Sequence, residues 1–136
     1  MPEATRIVAT VMGCGSSGGV PRIGGHWGVC DPGNPKNRRS RCSLLVEGWT
    51  EGSDLPTRIV VDTGCDLREQ LLRAEVDRVE AVLYTHEHAD HTHGIDDLRG
   101  CALYGRKRID VHADAATGHI LRMRFGYCFE TPAGSE

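Results

Sequence analysis

The chain has 136 residues, the length of one domain, and its 39% hydrophobic and 26% charged residues are ordinary for a soluble globular protein. A net charge of −3 makes no electrostatic case for nucleic acid or a membrane surface, and no apolar run reaches the roughly 18 residues of a membrane-spanning helix. The start, MPEATRIVATV, lacks the basic residues and long apolar centre of an export signal, so a cytoplasmic location is expected, with the six dispersed cysteines mostly reduced and several filling space in the core.

Arg6–Met12 (RIVATVM) predicts a strand that ends in GCGSSGG. From Gly13 to Arg41 glycine, proline, asparagine and arginine dominate without periodicity, which predicts a long loop of the kind that is often functional. Cys42–Glu47 and Arg58–Val61 predict the two strands of a hairpin, joined across GWTEGSDLPT. IVVDTG ends the second strand at Asp62. Asp66 is then expected to open a helix, with Glu69 as its capping-box partner and Leu67, Leu71 and Leu72 as its apolar face. Val79–Tyr84 predicts a strand that runs directly into THEHADHTHG. A helix is expected over Ile95–Tyr104, a strand over Ile109–His112, a helix from about Asp114 to Met123, and a strand-like RFGYCF after it. This alternation is the order of an α/β layered fold.

His86, His88, Asp90 and His91 spell H-x-H-x-D-H. Imidazole and carboxylate are ligands suited to zinc, iron or manganese. A strand that ends and turns sharply can aim His86 and His88 at one ion, and Asp90 and His91 on the following turn at a second one nearby. Two such ions clamp the attacking and the leaving oxygen of a hydrolysis. Chelating tags are poly-histidine at termini, whereas this cluster is internal and follows VEAVLY without a break. Open α/β sheets also place their sites just beyond the carboxyl ends of strands.

The pattern resembles that of the metallo-β-lactamase-fold hydrolases, and IVVDTG is similar to the family's earlier strand ending in aspartate. GCGSSGGVPRIG, NRRSRCSLLV and HADHTHGIDDLR look most like the branch that contains the cyclic phosphodiesterase of phosphonate breakdown, to which ribonuclease Z and a protein of pyrroloquinoline quinone synthesis are related. The resemblance implies an α/β chain that is the N-terminal half of an αββα four-layer sandwich. It implies two divalent metal ions, zinc or manganese, with His86 and His88 on the first and Asp90 and His91 on the second. Asp90 would also be catalytic, orienting the nucleophile, and Asp62 would stand behind the ligands, bonded to one of them or to bound water. A small phosphodiester such as a cyclic nucleotide is the implied substrate, rather than a nucleic acid.

The sequence departs from the family in two places. The related phosphodiesterases carry a structural zinc on cysteines just after their Val-Pro segment, but VPRIGGHWGVC keeps only Cys30, with Gly25 and Trp27 at the other two places and His26 between them. The family's remaining ligands come from later strands, and His112 and His119, the only histidines beyond the motif region, stand in no comparable motif. Residues 1–136 are therefore expected to be a truncated domain lacking its second half, poorly stable or homo-oligomeric alone, and weakly active. A non-catalytic metal-binding module that keeps half a site is the competing reading, with lactone or thioester hydrolysis and quinone-cofactor synthesis as other chemistries of the enzyme class.

Around the motif several residues have two readings each. Ser16, Ser17, Gly18 and Gly19 form either a phosphate-binding nest or a plain turn. Arg38, Arg39 and Arg41 pair with phosphate or belong to a solvated basic loop. Asp96 and Asp97 favour a helix N-terminus, or one of them orients a ligand histidine. His93 reads as polar loop rather than ligand support, and Trp27, Trp49, Tyr84 and Phe125 as packing.

Overall fold

The computed structural model describes residues 3–131, in which five strands form one sheet in chain order. β1 (Ala4–Gly13), β2 (Ser43–Thr50) and β3 (Thr57–Val61) make an antiparallel meander, and β4 (Ala81–Leu83) and β5 (Asp110–His112) continue it in parallel. The change of direction follows from the connections. A tight turn suffices between β2 and β3, but a parallel neighbour needs a crossover that carries the chain back to the same end. α1 (Leu67–Arg73) is that crossover between β3 and β4, and α2 (Ala89–Thr92) with α3 (Leu98–Gly105) form the next one. α4 (Ala115–Phe129) follows β5.

Because side chains alternate across a strand, register decides which residues share a face. Leu45 lies opposite Val60 and Val60 opposite Val82, and all three are buried. They form one core with Leu67 and Leu71 of α1, Leu98 and Cys101 of α3, and Leu121 of α4. The neighbouring row, Val11, Leu44, Val61 and Leu83, points the other way. There Val11 is 65% and Leu83 41% exposed, so among the described residues helices cover one face of the sheet and leave the other open. Among the described residues no helix is long and apolar enough to cross a membrane.

Three local expectations need correcting. RFGYCF is helical, not a strand: α4 runs on to Phe129, with a break in helical geometry at Phe125 (φ −128°, ψ 36°). Leu121, Phe125 and Phe129 recur at the helical spacing of four, and all three pack into the core. Asp66 precedes α1 but its side chain makes no cap bond, so the capping box with Glu69 does not form. Arg41 takes the Asp66 carboxylate instead, while Glu69 pairs with its neighbour Arg68. Finally, Leu72 is exposed, and Gln70 takes its place on the inner face of α1.

The segment from Gly13 to Arg41 is less loose than its composition implies. It runs out and returns beside itself, with Gly15 N–H on Ser40 O (2.7 Å) and mutual bonds between Val20 and Arg39 (2.9 Å each). Gln70 secures the return by donating to Ser40 Oγ (3.0 Å) and Arg41 O (2.8 Å).

The row through Leu45 separates core from open face energetically. Leu45→Ala is expected to cost about 2–5 kcal/mol in urea unfolding. Val11→Ser, on the open face, should change stability by less than about 0.5 kcal/mol.

Candidate metal centre

β3 and β4 end side by side, with Val61 opposite Leu83, so the segments leaving them start as neighbours. Asp62 adopts a left-handed conformation (φ 61°) that few residue types besides glycine, asparagine and aspartate take readily, and its N–H donates to Leu83 O at 2.9 Å. That turn sends its buried carboxylate under the histidine segment. Oδ1 accepts the Thr85 N–H at 2.8 Å, while Oδ2 accepts the Thr85 hydroxyl at 2.6 Å and lies 2.8 Å from His91 Nδ1. The two segments also share main-chain bonds: Thr63 N–H to His91 O and Gly94 N–H to Thr63 O, each 2.8 Å.

So close an approach leaves no room for side chains at two positions. A Cβ on Gly64 would lie 2.2 Å from Asp90 O, and one on Gly94 would lie 1.9 Å from Gly64 O. Beneath the junction, the Thr63 hydroxyl and the Tyr84 phenol are bonded at 2.6 Å in the core. Burial pushes that phenol well above its ordinary range, which keeps Tyr84 neutral.

The junction gathers the four predicted ligands. The His86 ring centroid lies 4.5 Å from that of His88 and 4.2 Å from that of His91, and Asp90 Oδ2 is 3.3 Å from His91 Nε2. Within the motif, the Thr92 hydroxyl donates to His88 O at 3.0 Å and Glu87 O at 3.3 Å. The Asp62 carboxylate at Nδ1 fixes the direction of the His91 ring and turns Nε2 toward Asp90 and the cluster. Thr85 Oγ1, 2.8 Å from His86 Nδ1, orients that ring as well.

Donor atoms of Asp62, His86 and His91 lie within 4.8 Å of one another, and among the described residues no other three histidine, cysteine or acidic residues do so. Three short contacts, from the Thr85 N–H, the Thr85 hydroxyl and His91 Nδ1, engage the two oxygens of Asp62. His86, His88, Asp90 and His91 lie around this group and offer imidazole and carboxylate donors, the ligand types of divalent-metal sites.

The other candidates fall outside this cluster. Arg41 binds Asp66 through Nε and Nη2, each at 2.8 Å, and through its main-chain N–H at 2.9 Å. This pairing raises the guanidinium above, and holds the Asp66 carboxyl below, their ordinary values. Arg41 is a brace here, although its charge still reaches Asp90. Arg38 stacks over Trp27 at 5.4 Å, and Arg39 uses its main chain to bridge to Val20. Gly19 (φ 71°) gives its N–H to Ser16 O at 2.8 Å, so this part of the glycine-rich loop is a closed turn.

Asp96 and Asp97 lie in the 3-10 turn before α3, where Asp96 faces Arg99 at 3.9 Å rather than a histidine. His93 packs edge-on against Phe125 at 5.5 Å between ring centroids. His112 ends β5 and His119 lies on α4, both exposed, and neither they nor His26 and Cys30 join a metal-ligand group among the described residues. Thr85, Gly64 and Gly94 were not singled out by sequence. Their signals are adjacency to the motif for Thr85 and glycine at the ends of the two crossing segments for the others.

Two outcomes follow from the junction. Gly94→Ala is expected to force the segments apart, lowering stability by about 1–3 kcal/mol in thermal unfolding and weakening zinc binding in chelator competition. Asp66, held low in the folded chain, stabilises the fold above the carboxyl's unfolded value of about 4, and that contribution is lost as pH falls through the lower folded value. Asp66→Asn should therefore cost about 1 kcal/mol near neutral pH, and urea midpoints should converge with wild type in acid.

Known proteins resemble the chain in sequence and in fold. A profile described as a beta-lactamase superfamily domain matches residues 57–136. A protein named octanoyltransferase from Porphyromonas gingivalis (strain ATCC BAA-308 / W83) is 38% identical over 119 residues, covering 88% of this chain and 23% of that protein. A crystal structure described as a new diphosphatase from the PhnP family is 38% identical with a TM-score of 0.77, covering 90% of this chain and 47% of that one. The chain thus spans about a quarter of the first relative's length and about half of the second's. Its single sheet with helices on one face corresponds to that part of a metallo-β-lactamase sandwich, and the chain belongs to the beta-lactamase superfamily.

Proposed function

We propose that the chain carries the ligand-bearing half of a metal-dependent hydrolase that cleaves a small phosphodiester, such as a cyclic phosphate. The observation that carries this reading is the buried Asp62 carboxylate, bonded at once to His91 Nδ1 and to the Thr85 that orients His86. A carboxylate behind a histidine fixes its tautomer and ring direction, which a surface histidine run would not need.

His86 and His88 would hold one divalent ion and Asp90 and His91 a second, zinc or manganese in each case. When bound, the metals supply Lewis acidity toward the phosphoryl oxygen and acidify water. This chain's residues do the positioning. Asp62 keeps the His91 proton on Nδ1, Thr85 ties Asp62 to His86, and Asp90, next to His91, orients the attacking water. The diphosphatase likeness supports phosphorus–oxygen chemistry. The octanoyltransferase name belongs to a protein of which this stretch matches 23%.

A second reading is metal binding without turnover, which the clustered donor atoms of Asp62, His86 and His91 would by themselves permit.

Zinc and manganese titrations, combined with hydrolysis of bis-p-nitrophenyl phosphate, distinguish these readings. The expected result is metal binding together with slow, metal-dependent hydrolysis, and a loss of at least about 100-fold in metal affinity for His86→Ala or His91→Ala. Metal bound with hydrolysis no faster than in His86→Ala favours the non-catalytic reading. Absence of metal binding refutes both.

A further inference from the structure

We propose that Arg124 of α4 is a positioning residue of the metal cluster: it holds the backbone between His86 and His88 in the turn that brings their imidazoles together. This rests on the reading of the cluster as a metal site. Glu87 is the residue between the two histidines, and its carbonyl accepts Arg124 Nη1–H at 2.9 Å across 37 residues of chain. The Thr92 hydroxyl approaches the same carbonyl at 3.3 Å. One peptide is thus gripped from within the motif and from a distant helix.

A second contact lies beside the first. Helical geometry breaks at Phe125, and the Phe125 ring meets His93 edge-on at 5.5 Å. Consecutive residues of α4 therefore touch the motif on both sides of the five-residue stretch His88–Thr92, at Glu87 and at His93. Leu121, fully buried one turn earlier, fixes α4 to the core so that Arg124 is presented from a rigid support. Among the described residues no carboxylate pairs with Arg124, and its ordered partner is this main-chain oxygen. The guanidinium also borders an open cleft beside His88 and Ala89.

A clamp on the Glu87 carbonyl acts on the separation of His86 and His88, so its loss should appear in metal affinity and in local opening rather than in the fold. Outer supports of metal ligands commonly change affinity by about 10–100-fold. This bond is solvent-exposed, which sets the expectation at about threefold to tenfold.

The test compares wild type with Arg124→Met, which keeps the aliphatic stem, Arg124→Lys, which keeps the cation, and Arg122→Met as a control on the same helix. Two quantities are read: zinc Kd by competition with a chromophoric chelator, and amide hydrogen exchange over residues 86–94 without metal. Arg124→Met should raise Kd threefold to tenfold and accelerate exchange in that segment, Arg124→Lys should fall between it and wild type, and Arg122→Met should match wild type. Unchanged affinity and exchange in Arg124→Met, or an equal loss in Arg122→Met, overturns the proposal. If Arg124→Met loses helix by circular dichroism, Arg124→Lys decides, and wild-type exchange in that protein overturns it. Failure of wild type to bind zinc would sink the metal-site reading, while the exchange measurement still decides whether Arg124 holds the segment.

Discussion

The Asp62 carboxylate is the constraint on which the rest of the site depends. It sits at the end of β3, buried, with donors on the segment that leaves β4. A buried carboxylate without partners is very costly, so its position is stable only when Thr85 and His91 stand where they do. The requirement runs the other way as well, because that carboxylate fixes one ring nitrogen of His91 and so turns the other toward Asp90. One side chain thus joins two strand ends and decides the chemistry of a neighbouring ring.

Around this polar link the two segments approach more closely than side chains permit. Gly64 and Gly94 leave the gaps through which Asp90 and Gly64 carbonyls pass, and the Thr63 main chain bonds to both His91 and Gly94. The parallel pairing of β3 with β4 makes this possible, since it places both carboxyl ends at one edge of the sheet. Arg41 and Asp66 extend the junction outward, tying the return of the long loop to the start of α1 and setting a positive charge near Asp90.

Much of this was legible in the sequence, for identifiable reasons. The H-x-H-x-D-H spacing and the strand-like VEAVLY are local signals, and they placed His86, His88, Asp90 and His91 together at a strand end. IVVDTG gave the position of Asp62 because an apolar run broken by aspartate and glycine is itself a local signal. What escaped were pairings across long separations. Asp66 reads as a helix cap from its neighbours alone, yet Arg41 offers two charge-assisted bonds and a main-chain donor, which outweigh a single cap bond. RFGYCF reads as a strand from its aromatic content, but its phenylalanines continue a spacing of four begun by Leu121, and core packing decides in favour of the helix.

The sheet's two faces explain why the cluster lies where it does. Helices cover the Leu45–Val60–Val82 face, and the segment that leaves β4 carries the clustered histidines, with His86 and His88 before α2 and Asp90 and His91 within it. The Val11–Leu83 face has no such cover among the described residues, although Leu44 and Val61 between them are apolar and half-buried. A sheet with apolar residues on both faces is built to lie between two layers. The histidine cluster sits at the strand-end rim, where the segments leaving β3 and β4 start as neighbours. Arg124 and Phe125 hold the motif from the helical side, at Glu87 and His93, while Asp62 and Thr85 hold it from the strand ends, so its backbone is fixed between core helix and sheet.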